Sequence, residues 1–278
     1  MDLQQLALEA ARVAQDVGKH AFQAQASPTT MVESHIPDVA GEPPTLPIND
    51  RLVPFIENRL TYLDRFNGFW HDHPQQCQPG ERYWCVGRID GAINFVRDMS
   101  EWTVTISLFE IDEHGGANPI LGVVHAPALE LTYLAARGKG AIRIWNTPFG
   151  NKRQKIIPTT RASLDGSVIS YGMSYVPSES ERALHVVAAL AGKPADIKRV
   201  GPVSLDMCKV ADGTYDAYFE PHLHSWDIPA VSAGTVVVRE AQGQVSRWDG
   251  QDIRWREEND VVASNGLLID QLRPYLHD

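Results

Sequence analysis

Between residues 102 and 264 the chain switches repeatedly between two hydrophobic periods, and that switching restricts it to layered architectures. Apolar runs of strand length lie at 102–109, 120–125, 167–171, 215–220 and 261–264. Two more, 131–135 and 140–145, flank Arg137-Gly138-Lys139-Gly140 and read as a hairpin. Helical spacing appears near 180–191, 204–211 and 228–240. Neither kind of element buries its apolar face alone, so helices and sheets must stack, as a layered α/β or α+β fold. The 278 residues suffice for one large domain of this kind or two smaller ones. We expect a single domain over 1–278, with approximate halves 1–150 and 151–278.

Upstream, Leu3, Leu6, Ala7, Ala10, Val13, Ala14 and Val17 predict an amphipathic helix over 3–23. Residues 24–49 lose that period and gather Pro28, Pro37, Pro43, Pro44 and Pro47, which fix φ and remove donors. That segment reads as a solvated connector or as a lid. A second helix is expected over 50–63, with Asn49 or Asp50 as N-cap and Leu52, Phe55, Ile56 and Leu60 on one face.

Charge and cysteine content exclude several functions. A net charge of −10 argues against nonspecific nucleic-acid binding, which needs a basic face to displace phosphate counterions. Cys77, Cys85 and Cys208 are odd in number and lack metal-type spacing, so no disulfide framework is expected. No apolar run approaches the roughly 20 residues that cross a bilayer. The first residues lack the basic and apolar regions of a secretory signal, and the expected location is the cytoplasm.

The chemistry concentrates at residues 84–95, Trp-Cys-Val-Gly-Arg-Ile-Asp-Gly-Ala-Ile-Asn-Phe. This stretch resembles the metal-binding signature of the inositol monophosphatase family, Trp-x-x-Asp-Pro-(Ile/Leu)-Asp-Gly-Thr-x-Asn-Phe. The resemblance extends along the chain. Gly122–Pro127 and Ala136–Gly140 resemble its strand-turn-strand stretch, residues 199–206 its Arg-x-x-Gly segment, and 226–243 its second signature, which opens on Trp-Asp. It implies alternating layers of helices and sheets, assembled as a homodimer.

Family members hydrolyse phosphate monoesters with Mg²⁺ held by carboxylates, the metals polarising phosphoryl oxygens and activating water. Carried over residue by residue, the family's upstream Glu falls on His71, or on Asp72 with a one-residue slip. The first motif acid is Gly87, the second is Asp90, and the acid of the second motif is Asp227. The water-orienting Thr is Ala92, while its acidic partner falls on Asp50. Glu220 stands where the family places an acceptor for a substrate hydroxyl, and His224 where some members also carry His. Losing a bridging carboxylate at Gly87 costs on the order of 10⁴-fold in metal affinity. Losing the Thr costs roughly 10²–10⁴-fold in proton positioning. Mg²⁺ binding is therefore expected to be weak, with Asp90 and Asp227 as residual ligands.

Three groups are candidates to replace the metal. Arg88, beside the vacated acid, offers a guanidinium that binds anions bidentately, or simply faces solvent. His71, His73, His222 and His224 with Asp90 and Asp227 offer either a transition-metal site or metal-free acid–base groups. Trp70, at the remodelled Glu position, suits a flatter ligand at a pocket mouth or belongs to the core. Gly91 completes the expected substrate site. Weaker signals have plainer explanations. Gly138-Lys139-Gly140 is a hairpin turn, and Arg247, Arg254 and Arg256 are cancelled by neighbouring acids. The leading expectation is a repurposed enzyme on a small polar or anionic metabolite, with Asp90, Asp227, His71 or Asp72, and Asp50 as catalytic groups. A weak metal-dependent phosphatase and a non-catalytic pseudophosphatase are the alternatives.

Overall fold

A computed structural model describes residues 1–38, 40–64, 68–72, 78–257 and 259–277. Seven strands form the first sheet in the order β1-β2-β3-β4-β5-β6-β7. They are β1 (Gly68–Phe69), β2 (Arg82–Val86), β3 (Val104–Ile111), β4 (Ala117–Ala126), β5 (Leu131–Ala136), β6 (Ala141–Thr147) and β7 (Gly150–Lys155). All neighbours are antiparallel except β1 and β2. The second sheet runs β11-β12-β10-β8-β9. Its strands are β8 (Val168–Tyr171), β9 (Asp196–Lys198), β10 (Ala217–Leu223), β11 (Gln244–Ser246) and β12 (Asn259–Ser264). The helices are α1 (Leu3–Gln25), α2 (Pro28–Glu33), α3 (Asn49–Leu63), α4 (Ala92–Val96), α5 (Pro177–Ala189), α6 (Val203–Ala211), α7 (Ile228–Glu240) and α8 (Ile269–Leu272).

Period explains the stacking. In β3, Val104, Ile106 and Leu108 join α1 and α3 in one core, while Phe109 and Ile111, beyond a bulge, join the core around α6 and α7. In β10, Tyr218 faces α6 and α7, whereas Ala217 and Phe219 pack on the other side with Val186 of α5 and Leu272 of α8. The layers are thus α1 and α3, the first sheet, α6 and α7, the second sheet, then α5 and α8. The central helices α6 and α7 are buried nearly all round, as a doubly covered layer requires, and their buried residues include Ser204, Asp206, Ser232 and Thr235.

Several sequence expectations shift. The segment 24–49 is more than a connector: it contains α2, a β-bridge between His35 and Thr45, and the buried side chains of Leu46 and Ile48. Gly41 N–H also donates to the Tyr175 carbonyl at 2.8 Å. Neither Asn49 nor Asp50 caps α3, whose N-cap is Ile48 with no side-chain cap bond. Turn bonds from Asn49 N to Leu46 O and from Asp50 N to Pro47 O already start the helix. Strand β7 escaped the sequence reading because all six of its residues are exposed and none carries an apolar signal. Cys85 and Cys208 are buried free thiols. No helix among the described residues is long and apolar enough to cross a membrane.

Candidate functional site

The first signature leaves β2 and crosses above α6. Asp90 pairs with Thr103 in a short bridge, and its Oδ2 accepts hydrogen bonds from Ser204 N at 3.1 Å and Ser204 Oγ at 2.6 Å. Gly91, at φ 83°, turns the chain into α4 where a Cβ would come within 2.9 Å of the Glu101 carbonyl. Asn94 donates to the Val200 carbonyl at 3.1 Å and so draws the 199–202 segment alongside. From the second sheet, Glu220 projects on the same side as Tyr218, whose hydroxyl donates to Glu220 Oε2 at 2.6 Å. Asp227 starts α7, and its Oδ2 accepts the His224 N–H at 2.8 Å.

These segments enclose a cavity of about 110 Å³ lined by Asp90, Gly91, Tyr175, Arg199, Tyr218, Glu220 and Asp227, among others. Four carboxyls, Asp90, Asp206, Glu220 and Asp227, interact there. Burial raises Asp90 above its ordinary range against the opposing pull of Ser204 and Arg199. Burial and the neighbouring Glu220 raise Asp227 well above it. Glu220 is pushed up to about 7 by burial, against the Tyr218 hydrogen bond and Arg199. Asp206, wholly inaccessible in α6, also rises to about 7 through burial, although Lys209 Nζ stands 3.8 Å away. Tyr175 is raised to about 12 by burial and the surrounding acids. All four carboxyls are raised above their ordinary range, and one guanidinium, Arg199, opposes the shifts of Asp90, Asp206 and Glu220.

The expected site residues divide. Asp90, Gly91, Glu220 and Asp227 meet at the cavity. Asp50 does not, since it is exposed on α3; its neighbour Asn49 is buried and accepts the Ile89 N–H at 3.0 Å. His71 is exposed, 3.6 Å from Glu57 and stacked on Phe69. The side chain of Asp72 and all of His73 lie outside the described residues. Trp70 is a core residue stacked on Phe109 with ring centroids 4.2 Å apart, the second of its two expected placements rather than the pocket mouth. Arg88 is exposed and does not line the cavity; Arg199 does. His224 and His222 turn to Glu179 rather than to the acids. Sequence reasoning passed over Arg199, though it opens the matched Arg-x-x-Gly segment, and it gave no weight to Tyr175 or Glu179.

Fit to the family's metals fails at one wall. A Cβ built on Gly87 would overlap the buried Thr105 hydroxyl and stand 3.2 Å from Pro229 Cβ. The acid is not merely missing; the space it would cross is occupied. Asp90 and Asp227 each already accept hydrogen bonds from the protein on Oδ2. This donor set does not reproduce a carboxylate-bridged cluster of Mg²⁺ ions, which needs several free oxygens in octahedral geometry.

The inositol monophosphatase family model matches residues 69–277. The chain belongs to the inositol monophosphatase family. It is 32% identical over 193 residues to the putative Nus factor SuhB of Neisseria meningitidis, covering 69% of this chain and 67% of that one. It is also 32% identical to the histidinol-phosphatase of Mycobacterium tuberculosis over 194 residues, covering 69% and 68%. Among solved structures, the suhB protein of Bartonella henselae superposes with a TM-score of 0.76 at 22% identity, over 96% of both chains. The inositol monophosphatase fold is therefore retained around a first signature that carries Gly87, packed against Thr105 and Pro229, where the family signature has an acid.

Proposed function

We propose that this inositol monophosphatase family member is a repurposed enzyme that uses the cavity for metal-independent proton transfer on a small, hydroxyl-rich polar metabolite. The observation that carries this reading is the packing of Thr105 and Pro229 into the space beside Gly87. Glu220, near 7, is suited to exchange a proton at neutral pH, with Asp227 as its partner. Arg199 steadies an anionic or polarised oxygen of the ligand, and Asp90, held by Ser204, accepts from a hydroxyl. The cavity admits only a small group. The relative named histidinol-phosphatase supports a polar small-molecule substrate rather than an apolar one.

The test is phosphate release from a panel of sugar, polyol and amino-alcohol phosphates with Mg²⁺, Mn²⁺, Zn²⁺ or EDTA, and Asp90→Asn as control. Silence across the panel from folded protein, with ligand-induced stabilisation by a non-phosphorylated polyol or amino alcohol, agrees with the proposal. Mg²⁺-dependent turnover lost in Asp90→Asn refutes it and makes the chain a weak phosphatase.

A second reading rests on the relatives named Nus factor, which favour a role through macromolecular contact. It requires pocket substitutions such as Asp227→Asn to leave function intact while surface substitutions destroy it. Assembly as a homodimer is part of either proposal and is read by light scattering on the purified chain.

A further inference from the structure

Beside the cavity wall, three side chains outside the family's acid set converge. His222 lies on β10 and His224 just beyond it, and their spacing of two residues sends both rings to the same side. The ring centroids are 4.4 Å apart. Glu179, in the first turn of α5, faces both: Oε1 is 3.7 Å from His222 Nε2, and Oε2 is 3.0 Å from His224 Nε2. One ligand atom from each residue falls within 4.8 Å of the others, and all three side chains are partly buried.

His224 Nε2 is within hydrogen-bond distance of one Glu179 oxygen, and His222 Nε2 stands 3.7 Å from the other. Two donors on one tetrahedral cation, with bonds of about 2.0–2.1 Å, stand roughly 3.3 Å apart. The observed separations, 3.7 Å to Glu179 Oε1 and 3.0 Å to Oε2, are of that order, and one ligand atom from each residue lies within 4.8 Å of the others. We propose that Glu179, His222 and His224 form a binding site for a divalent transition cation of the Zn²⁺ type. Two imidazoles and a carboxylate suit such a cation and do not suit Mg²⁺, which prefers an all-oxygen shell.

The surroundings hold the ligands in place. His224 stacks on Trp226 at 4.2 Å and 14°, fixing the plane of its ring. Burial raises the Glu179 carboxyl, but hydrogen bonds from Ser174 and His224 and the nearby imidazoles bring it below its ordinary value. Asp227 Oδ2 accepts the His224 backbone N–H, which couples this site mechanically to the cavity. Three protein ligands leave a fourth position for water or a ligand atom.

Equilibrium dialysis of the full chain against Zn²⁺ at pH 7.5, with metal content measured after each step, tests the site, and Co²⁺ absorption reports its geometry. The expected result is about one Zn²⁺ per chain, a Zn²⁺-dependent rise in Tm, and tetrahedral Co²⁺ bands. Glu179→Gln and His222→Asn should each weaken binding by about tenfold or more, as loss of a ligand does. Asp90→Asn should leave it unchanged. Both ligand variants are checked metal-free by circular dichroism, and His222→Asn should fold while losing the Zn²⁺-dependent rise in Tm. Absence of stoichiometric binding overturns the proposal, and so does binding that is lost in Asp90→Asn but kept in His222→Asn. These readouts are independent of catalysis, so failure of the proton-transfer reading would leave them standing.

Discussion

The walls built by the first and second signatures face one cavity but have diverged differently. On the first wall, polar contacts have turned inward: Ser204 occupies Asp90, Asn49 occupies the Ile89 amide, and Thr105 fills the room beside Gly87. On the second wall, Glu220 raises Asp227 while Asp90 and Asp206 raise Glu220, and His222, His224 and Glu179 gather nearby. The first wall holds its acid, Asp90, in bonds to Ser204, while the second places Glu220 and Asp227 side by side, and the poorly solvated acids of both are retained at a cost in stability.

Substitutions can break that contrast. The largest expected effect is at Trp70, which belongs to the first signature's side in sequence but to the core in space. Trp70→Ala should destabilise by about 3–5 kcal/mol in urea unfolding, as core aromatic truncations do. A loss under about 1 kcal/mol would return Trp70 to the pocket mouth. Next is Gly87→Asp, which overpacks Thr105 and buries a charge, for an expected loss of about 2–4 kcal/mol and no gain of Mg²⁺-dependent phosphatase activity. Thr105→Ala alone should be nearly neutral, because the hydroxyl it removes is buried and lacks a hydrogen-bond partner among the described residues. The double variant should recover most of the Gly87→Asp loss. Additive effects would mean that the closed space is not what excludes the acid.

On the second wall the sign reverses. Glu220 titrates at about 7 in the fold against an ordinary 4.5, so the folded chain holds its proton more tightly than the unfolded chain. Its contribution to stability is full below about pH 4.5 and is lost as pH rises through about 7. Glu220→Gln should therefore be neutral at pH 4.5 and stabilising by about 1–3 kcal/mol at pH 8. Thermal melts across pH 4–9 check this, and a wild-type curve that does not fall relative to the variant would remove Glu220 from the buried acid set.

The layers were legible because each strand or helix carried its own period, as in β3, β10 and α7. Of the candidate site residues, Asp90, Gly91, Glu220 and Asp227, all carried by the family resemblance, come together at one cavity. Position 50 misled because the helix start is set by turns at Leu46 and Pro47, which rotate Asn49 rather than Asp50 toward the signature. Glu179 had no local signal at all: its approach to His222 depends on how α5 packs against β10.

The smallest expected effect separates two arginines. Arg88 and Arg199 are both exposed, and sequence position alone favours Arg88 because it adjoins Gly87. Arg199 nonetheless lines the cavity and pulls down Asp90, Asp206 and Glu220, whereas Arg88 does not line it. Arg88→Ala should change stability by no more than about 0.5 kcal/mol, as for an ordinary surface site. It should also leave the Glu220 titration where it is. Arg199→Ala should move that titration further up from about 7, because the opposing positive charge is gone. Carboxyl NMR of the two variants reads the difference directly. A shift in Arg88→Ala and none in Arg199→Ala would place the working guanidinium on the first wall and reverse the division of the cavity argued above.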